Sequence, residues 1–317
     1  MSGTEQRVDP RPNKADGVGS LIVSANVVVD GSDTETIAVP DGTSIPVRWV
    51  GGFSYLPETC DGGGTFDPSG TTLPSPDVVE AQIDVTPFEV EGSDQVSGFG
   101  VGSPALIEER LQYARRNYLA CESKQIEAEL WKGTLSTSKG WGNRFLADAN
   151  VDLVEGDRLL GYRTALAVLE RAINDGTCGQ QGMIHARADT VTMWVSDHLV
   201  RRVGNILVTE LGTIVVAGSG YDGSAPAAGT LHLDPRHAGQ VPSSDSAWAY
   251  ATPVVDLRRS DWANPQPILE RFDASTTTAV KTNRMTTYAR KYVAVTWPCF
   301  QAGVHVDHDN AMTVTGS

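Results

Sequence analysis

The chain of 317 residues is 40% hydrophobic and 20% charged, a globular composition rather than a fibrous or disordered one. Its length exceeds the ~250–300 residues at which a single core stops growing, which predicts two compact lobes plus extended segments. The formal charge of −14 disfavours nucleic-acid recognition: between Gly17 and Ile107 thirteen acidic residues face one base, Arg48, and no basic run exists to displace counterions from phosphates.

Residues 1–16 (MSGTEQRVDPRPNKAD) are polar, carry two prolines and lack the apolar stretch of a secretory signal. They are expected to form an arm that orders only against a neighbour. β-type runs follow at Leu21–Val29 and Ile45–Val50, the second alternating Ile45, Val47 and Trp49 with small or polar residues. Gly51–Pro76 is crowded with Gly, Pro, Ser, Thr and Asp, and its length predicts a projecting loop. In the return strand Ala81, Ile83 and Val85 share one face. Beyond Pro87 the apolar face passes to Phe88 and Val90, a change of phase that predicts a bulge or an edge bend. Arg48–Val96 therefore reads as a long, acidic, two-stranded excursion with little apolar surface to bury against its own subunit.

The best-marked element is a helix over 103–132. Ser103 is the expected N-cap, Pro104 takes the first helical position, Glu108 and Glu109 lie near its positive end, and Gly133 stands just past the stop. Ile107, Leu111, Ala114, Tyr118 and Cys121 recur at three and four residues, and Ile126 with Leu130 continue the stripe. A second helix is expected over Leu159–Asn174, with Tyr162, Leu166, Leu169 and Ile173 on one side and Gly176 ending it. An α/β run follows: a strand at Met183–Ala186, a helix at Ala188–Val200, strands at Ile206–Thr209 and Thr213–Ala217, then the turn-rich Gly218–Gly223. The remainder returns to β character, with Val293, Val295 and Trp297 alternating. The α/β run thus reads as a mixed-sheet lobe inserted between two parts of the other lobe.

Cys60, Cys121, Cys178 and Cys299 are far apart and form no C-x-x-C pair, so reduced thiols are expected. No window approaches the ~18 apolar residues of a membrane span. Two clusters resemble metal ligands: His232 and His237 in HLDPRH, and His305, Asp307 and His308 in HVDHD. A catalytic zinc site wants three convergent ligands with supporting hydrogen bonds. On a strand His305 and Asp307 face away from His308, and Pro235 makes the first cluster a loop, so both are read as polar surface and no metal or cofactor is expected. Gly218-Ser219-Gly220 and Gly62-Gly63-Gly64 continue as neither a dinucleotide fingerprint nor a P-loop. No nucleophile elbow exists, and no catalytic set stands out.

Gly182–Gly223, GMIHARADTVTMWVSDHLVRRVGNILVTELGTIVVAGSGYDG, runs an IHA strand, a helix and an L-x-T-x-x-G-T-x-V-V-x-G hairpin in succession. It is similar to the axial-domain signature of major capsid proteins from tailed phages of actinobacteria. Ala105–Gly133 resembles the spine helix of the same group. The order of parts agrees with that family's α+β fold, the Hong Kong 97 type. The resemblance implies an N-terminal arm and first strands in 1–40, an extended loop in 41–100, a peripheral domain with its spine helix in 101–155, an inserted axial domain in 156–255, and peripheral return strands in 256–317. It also implies a non-enzymatic subunit of a virion, assembled with its own copies into pentamers and hexamers in the host cytoplasm, around double-stranded DNA that it does not bind by sequence. An acidic wall that does not adhere to its cargo suits that role. Candidate contacts between subunits are Trp49, Phe53, Tyr55, Phe66, Asp84, Glu89, Arg201, Arg202 and Tyr221.

Two departures refine the expectation. The founding member of the fold joins its extended loop to a neighbour through a Lys–Asn isopeptide bond, but the lysines here are Lys14, Lys124, Lys132, Lys139, Lys281 and Lys291, none of them in the loop. The β-type sequence begins by Leu21, which leaves no room for a fused scaffolding region. The implied partners are therefore a portal protein, a separate scaffolding protein and a cement or decoration protein, with no membrane. The alternatives are an encapsulin-like compartment, and a metal-dependent hydrolase using His232, His237, His305 or Asp307.

Overall fold

Proline at the first helical position and glycine beyond the last bound the longest element. The protein is represented by a computed structural model that describes residues 19–29, 36–38, 44–46, 53–55, 83–97, 104–176, 181–240, 245–259, 268–270, 284–297 and 300–309. Its long helix spans Pro104–Lys132, about 43 Å at 1.5 Å per residue. Gly133 follows with φ +56°, a conformation that ends the helix at little steric cost. Ser103, Trp49, Phe66 and the arm 1–16 lie outside the described residues.

In chain order the first elements are α1 (Leu21–Ser24), β1 (Asn26–Val29), β2 (Thr36–Ala38), β3 (Ser44–Pro46), β4 (Phe53–Tyr55), β5 (Ile83–Val85) and β6 (Phe88–Ser97). The long helix is α2, followed by α3 (Thr134–Lys139), β7 (Asp152–Leu153), β8 (Leu159–Gly161), α4 (Tyr162–Gly176), β9 (Gly182–Arg187) and α5 (Ala188–Ser196). The rest are β10 (Val200–Val203), β11 (Ile206–Thr209), β12 (Ile214–Gly218), β13 (Ser246–Pro253), β14 (Asp256–Arg259), β15 (Ile268–Glu270), β16 (Arg284–Thr296) and β17 (Ala302–Asp307).

Strand β16 organises a five-stranded sheet. It pairs antiparallel with β6 from Phe88↔Val293 to Ser97↔Arg284, and with β14 and β15 at its two ends, while β1 joins β14 in parallel. Helix α2 lies on this sheet, with Ala114 and Tyr118 in one core with Phe88, Val90, Ala289 and Val293. The approach is closest at Gly92, where a Cβ would stand 2.2 Å from the Tyr118 amide nitrogen and 2.6 Å from the Ala114 carbonyl oxygen. Only a residue without a side chain lets the strand reach the helix backbone.

The second sheet has the order β10-β11-β12-β9-β13-β17-β7, with β8 also on β17. Strands β9 and β12 run parallel, as do β17 and its partners β7 and β8, and the other pairs are antiparallel, so the sheet is mixed as expected. The pleat divides its residues between two cores. Met183, Ile214, Val216, Trp248 and Tyr250 face the core that contains Ile126, Leu130 and Trp131 of α2. Ile184, Ala186, Val215, Ala249, Ala251, Val304 and Val306 pack with Leu166, Leu169 and Ile173 of α4 and with Val191 and Trp194 of α5.

The α+β class and the bounds of α2 hold, and several finer expectations are corrected. Leu21–Ser24 is a helical turn, not strand, because the Leu21 amide is drawn to a carboxylate of α2. Leu159–Gly161 is strand paired to β17, and helix α4 begins only at Tyr162. Val200 opens β10 rather than ending α5, since the chain leaves the helix through Asp197–Leu199 to pair with β11. Cys121 is exposed, whereas Glu122 beside it is buried. Phe88–Ser97 belongs to the subunit's own sheet, not to an excursion, and the C-terminal strand β17 joins the second sheet rather than the first. The change of phase after Val85 is present: Thr86 and Pro87 interrupt the strands, and Val85, Phe88 and Val90 are all buried.

Replacing Gly92 by Val is expected to cost roughly 2–3 kcal/mol, because backbone atoms on both sides of the contact cannot rotate away. A lowered urea midpoint with an unchanged slope reports this, and an unaltered midpoint would mean that α2 does not press on β6.

Candidate functional site

A helix that buries glutamates needs donors to match them, because a charged group taken out of water is tolerated only when fully hydrogen-bonded. Helix α2 buries Glu122, Glu127 and Glu129. Glu127, with 0% exposure, accepts four hydrogen bonds from three elements. Oε1 takes the Leu21 amide at 3.1 Å and the Ser123 hydroxyl at 2.9 Å, and Oε2 takes the Ser219 hydroxyl and the Gly220 amide, both at 3.0 Å. Gly220 presses so close that a Cβ there would lie 2.3 Å from the Lys124 carbonyl oxygen. Glu122 accepts from the Tyr118 hydroxyl at 2.7 Å and pairs with Arg259 of β14 at 3.0 Å. Burial, then the charge of Glu122, pushes the Tyr118 phenol well above its ordinary range. Glu129 accepts the amides of Leu135 and Ser136, both at 2.9 Å, and so caps α3.

The junction continues into the second sheet through aromatic groups. The Trp131 ring lies 4.8 Å from Tyr221 and 4.9 Å from Tyr250, and its N–H donates to Ser224 Oγ at 3.0 Å. The Tyr221 hydroxyl is 2.9 Å from His185 Nδ1, and His185 Nε2 is 2.9 Å from Thr252 Oγ1. Thr252 donates its own hydroxyl to the Pro253 carbonyl at 2.8 Å. Its oxygen is thus an acceptor for the imidazole, which assigns the proton to Nε2 and leaves Nδ1 to accept from Tyr221. Burial alone lowers the His185 pKa to about 3, so the ring is neutral. Sealed and satisfied, this array is structural support rather than a reactive site.

The residues expected to meet neighbouring subunits fall in different places. Trp49 and Phe66 lie outside the described residues. The backbones of Phe53, Tyr55 and Asp84 form the β4–β5 ladder, with Phe53↔Val85, Ser54↔Asp84 and Tyr55↔Ile83 in register. Among the described residues this two-stranded ribbon pairs with neither large sheet, although β5 lies beside β16. It is rooted at Thr86, whose amide donates to Asn143 Oδ1 and whose carbonyl accepts from Asn143 Nδ2, both at 2.7 Å. Glu89 sits on β6 and pairs with Arg290 at 2.9 Å. Arg201 and Arg202 lie on β10, the terminal strand of the second sheet among the described residues, and both are exposed. Arg201 stands 3.9 Å from Glu210, and Arg202 donates to the Gly204 carbonyl at 2.7 Å. Tyr221 is corrected: at 4% exposure it belongs to the core between α2 and the second sheet, where its ring meets Trp131.

An open groove of about 950 Å³ runs between α4 and the turn 209–213. Leu166 and Ile173 are among its apolar residues, Arg163, Glu170 and Glu210 supply charges of both signs, and Leu211 on the same turn is 81% exposed. The residue pattern had not marked this surface, because it joins two segments remote in sequence.

The histidines sort as the strand alternation predicts. His305 stacks on Trp248 with ring centroids 4.8 Å apart, and His308 hydrogen-bonds Thr190 at 2.9 Å on α5. His237 meets a residue that the sequence had not singled out, Asp157, at 2.6 Å from Nδ1 to Oδ2. Eighty positions separate the two, so no local motif could pair them.

No family model matches the sequence, and no curated protein matches it. Among solved structures, the capsid of a native GTA particle aligns with 97% of this chain and 94% of its own at 13% identity and a TM-score of 0.49. The holo-SrpI encapsulin of Synechococcus elongatus PCC 7942 aligns with 100% of this chain and 96% of its own at 8% identity and a TM-score of 0.47. A chain described as Mycobacterium phage Adephagia aligns with 97% of this chain and 94% of its own at 12% identity and a TM-score of 0.43.

Glu127→Gln is expected to cost roughly 3 kcal/mol, because an amide nitrogen would then confront donors where an oxygen accepted them. Chemical denaturation measures this, and a loss no larger than that of an exposed Glu→Gln change would remove the junction's importance. His185 makes stability depend on pH. Its folded pKa of about 3 lies below the ordinary 6.5, so the unfolded chain takes up a proton first. The contribution is complete above pH 6.5 and is lost as pH falls toward 3. In His185→Gln the urea midpoint should fall less steeply across that interval than in the native chain.

Proposed function

We propose that the chain is a non-enzymatic structural subunit, a tailed-phage major capsid protein of the Hong Kong 97 type, that assembles with copies of itself into an icosahedral shell. The observation that carries this reading is the β4–β5 ribbon: it adjoins the Thr86–Asn143 clamp and, among the described residues, pairs with neither large sheet. A two-stranded ribbon is marginal alone in water. A neighbouring copy supplies the missing partner surface.

The layout supports the same reading. A sheet drawn from segments on both sides of the α/β run lies on α2, and the second sheet lies on the other side of the same core. We read α2 as the spine helix and the α/β run as the axial domain, as the resemblance of Ala105–Gly133 and Gly182–Gly223 implies. Exposed Arg201 and Arg202 on a terminal strand, and the groove beside Leu211, offer further surfaces for contacts between copies. In this reading pentamers and hexamers close around double-stranded DNA, with a portal protein, a separate scaffolding protein and a cement protein as partners.

Negative-stain electron microscopy of the protein, alone and co-expressed with its neighbouring genes, tests the proposal. Closed particles are expected, with DNA inside marking a phage head and protein cargo marking an encapsulin-like compartment. A small oligomer under every condition overturns it. Trp49→Ala and Phe53→Ala should reduce particle yield while leaving the circular dichroism of the soluble subunit unchanged; soluble but unfolded subunits would contradict the assignment of these residues to assembly.

A further inference from the structure

Three segments converge beside β17, which β13 flanks on one side and β7 and β8 on the other. The turn after β7 brings Asp157, the segment between β12 and β13 brings Asp234 and His237, and β17 itself brings His305. One ligand-type atom from each of Asp157, Asp234 and His237 lies within 4.8 Å of the others. The positions are held by backbone: the His237 amide donates to the Asp234 carbonyl at 2.8 Å, and the Arg236 amide donates to Asp234 Oδ1 at 2.9 Å, so Asp234 and His237 share one tight turn.

Two atoms of this region are withdrawn from solvent without a hydrogen-bond partner, Asp157 Oδ1 and His305 Nε2. The charge of Asp157 acts on His305, which places the two groups in one electrostatic neighbourhood. A carboxylate oxygen so placed loses hydration and gains nothing in return, unless a cation meets it. The guanidinium of Arg236 neutralises Asp234 instead, but the Arg236 side chain is 85% exposed. That pair is a surface one, weak enough for a multivalent ion to displace.

We propose that Asp157, Asp234 and His237 form a divalent-cation site of the zinc class that ties the turn after β7 to the segment preceding β13. Two carboxylates and one imidazole suit zinc better than the all-oxygen sets of calcium and magnesium. His237 offers Nδ1 to the ion in place of its hydrogen bond to Asp157. His232, in the same segment, is absent from this group of ligands and serves as the internal control.

The test uses untagged full-length protein, dialysed against chelator and titrated with Zn²⁺ by calorimetry, with metal content read by mass spectrometry. One Zn²⁺ per chain is expected, with affinity lowered at least tenfold in Asp157→Asn and in His237→Ala and unchanged in His232→Ala. Zn²⁺ should also raise the thermal midpoint of the native chain and not that of His237→Ala. Near-ultraviolet circular dichroism identifies a variant that fails to fold, and Co²⁺ absorption of the native chain then decides, since a histidine–carboxylate site gives d–d bands. Absence of stoichiometric Zn²⁺, preference for Ca²⁺ or Mg²⁺, undiminished binding by Asp157→Asn and His237→Ala, or native chain lacking those Co²⁺ bands overturns the site. The result does not depend on whether the chain builds a shell.

Discussion

The structure depends on burying one side of a helix that is not apolar. Along its second half, α2 turns Glu122, Glu127 and Glu129 inward among Ile126, Leu130 and Trp131. Each carboxylate would be ruinous alone, and each recruits a different element: Arg259 of the first sheet, the turn after β12 with the Leu21 amide, and the first turn of α3. Burial of charge thus specifies which segments meet the helix and in what orientation, something apolar packing does weakly. Removal of any donor leaves a buried anion rather than a cavity, so the arrangement tolerates little variation.

Two glycines make that geometry attainable. Gly92 and Gly220 let a strand and a turn reach the helix backbone, at Ala114–Tyr118 and at Lys124–Ala128. The helix is therefore held by backbone contact near its middle and by charge-assisted hydrogen bonds in the following turns. Both sheets take their position from the same rod, and the ribbon rooted at Thr86 inherits its direction from β6, which lies against it.

Much of this was legible in the residues. Pro104 and Gly133 bound α2 because their conformational preferences are local, and the stripe Leu166, Leu169 and Ile173 faces the core as its spacing requires. The step from Val85 to Phe88 and Val90 announced a break that the structure places at Thr86 and Pro87. What failed was non-local. Leu21–Ser24 carries strand-forming residues yet turns helical where Glu127 captures its first amide. A stripe drawn through Cys121 missed the buried acids beside it, since hydrophobic periodicity assigns carboxylates to water. Tyr221 read as a surface aromatic in a turn-rich stretch, but Trp131 and His185 enclose it. The pairing of Asp157 with His237 bridges segments that no pattern relates.

The position of β17 bears on how the chain comes to be folded. Residues 302–307 lie between β13 and the short strands β7 and β8, inside the sheet rather than at its rim. While translation is under way, strands β7, β8 and β13 wait without the neighbour that joins them, and Val304 and Val306 are missing from the core beneath α4. A nascent chain that has not yet exposed residues 302–307 therefore cannot complete its second sheet. Pairings across such sequence distances are slow to find, so the second sheet closes only after β17 has emerged.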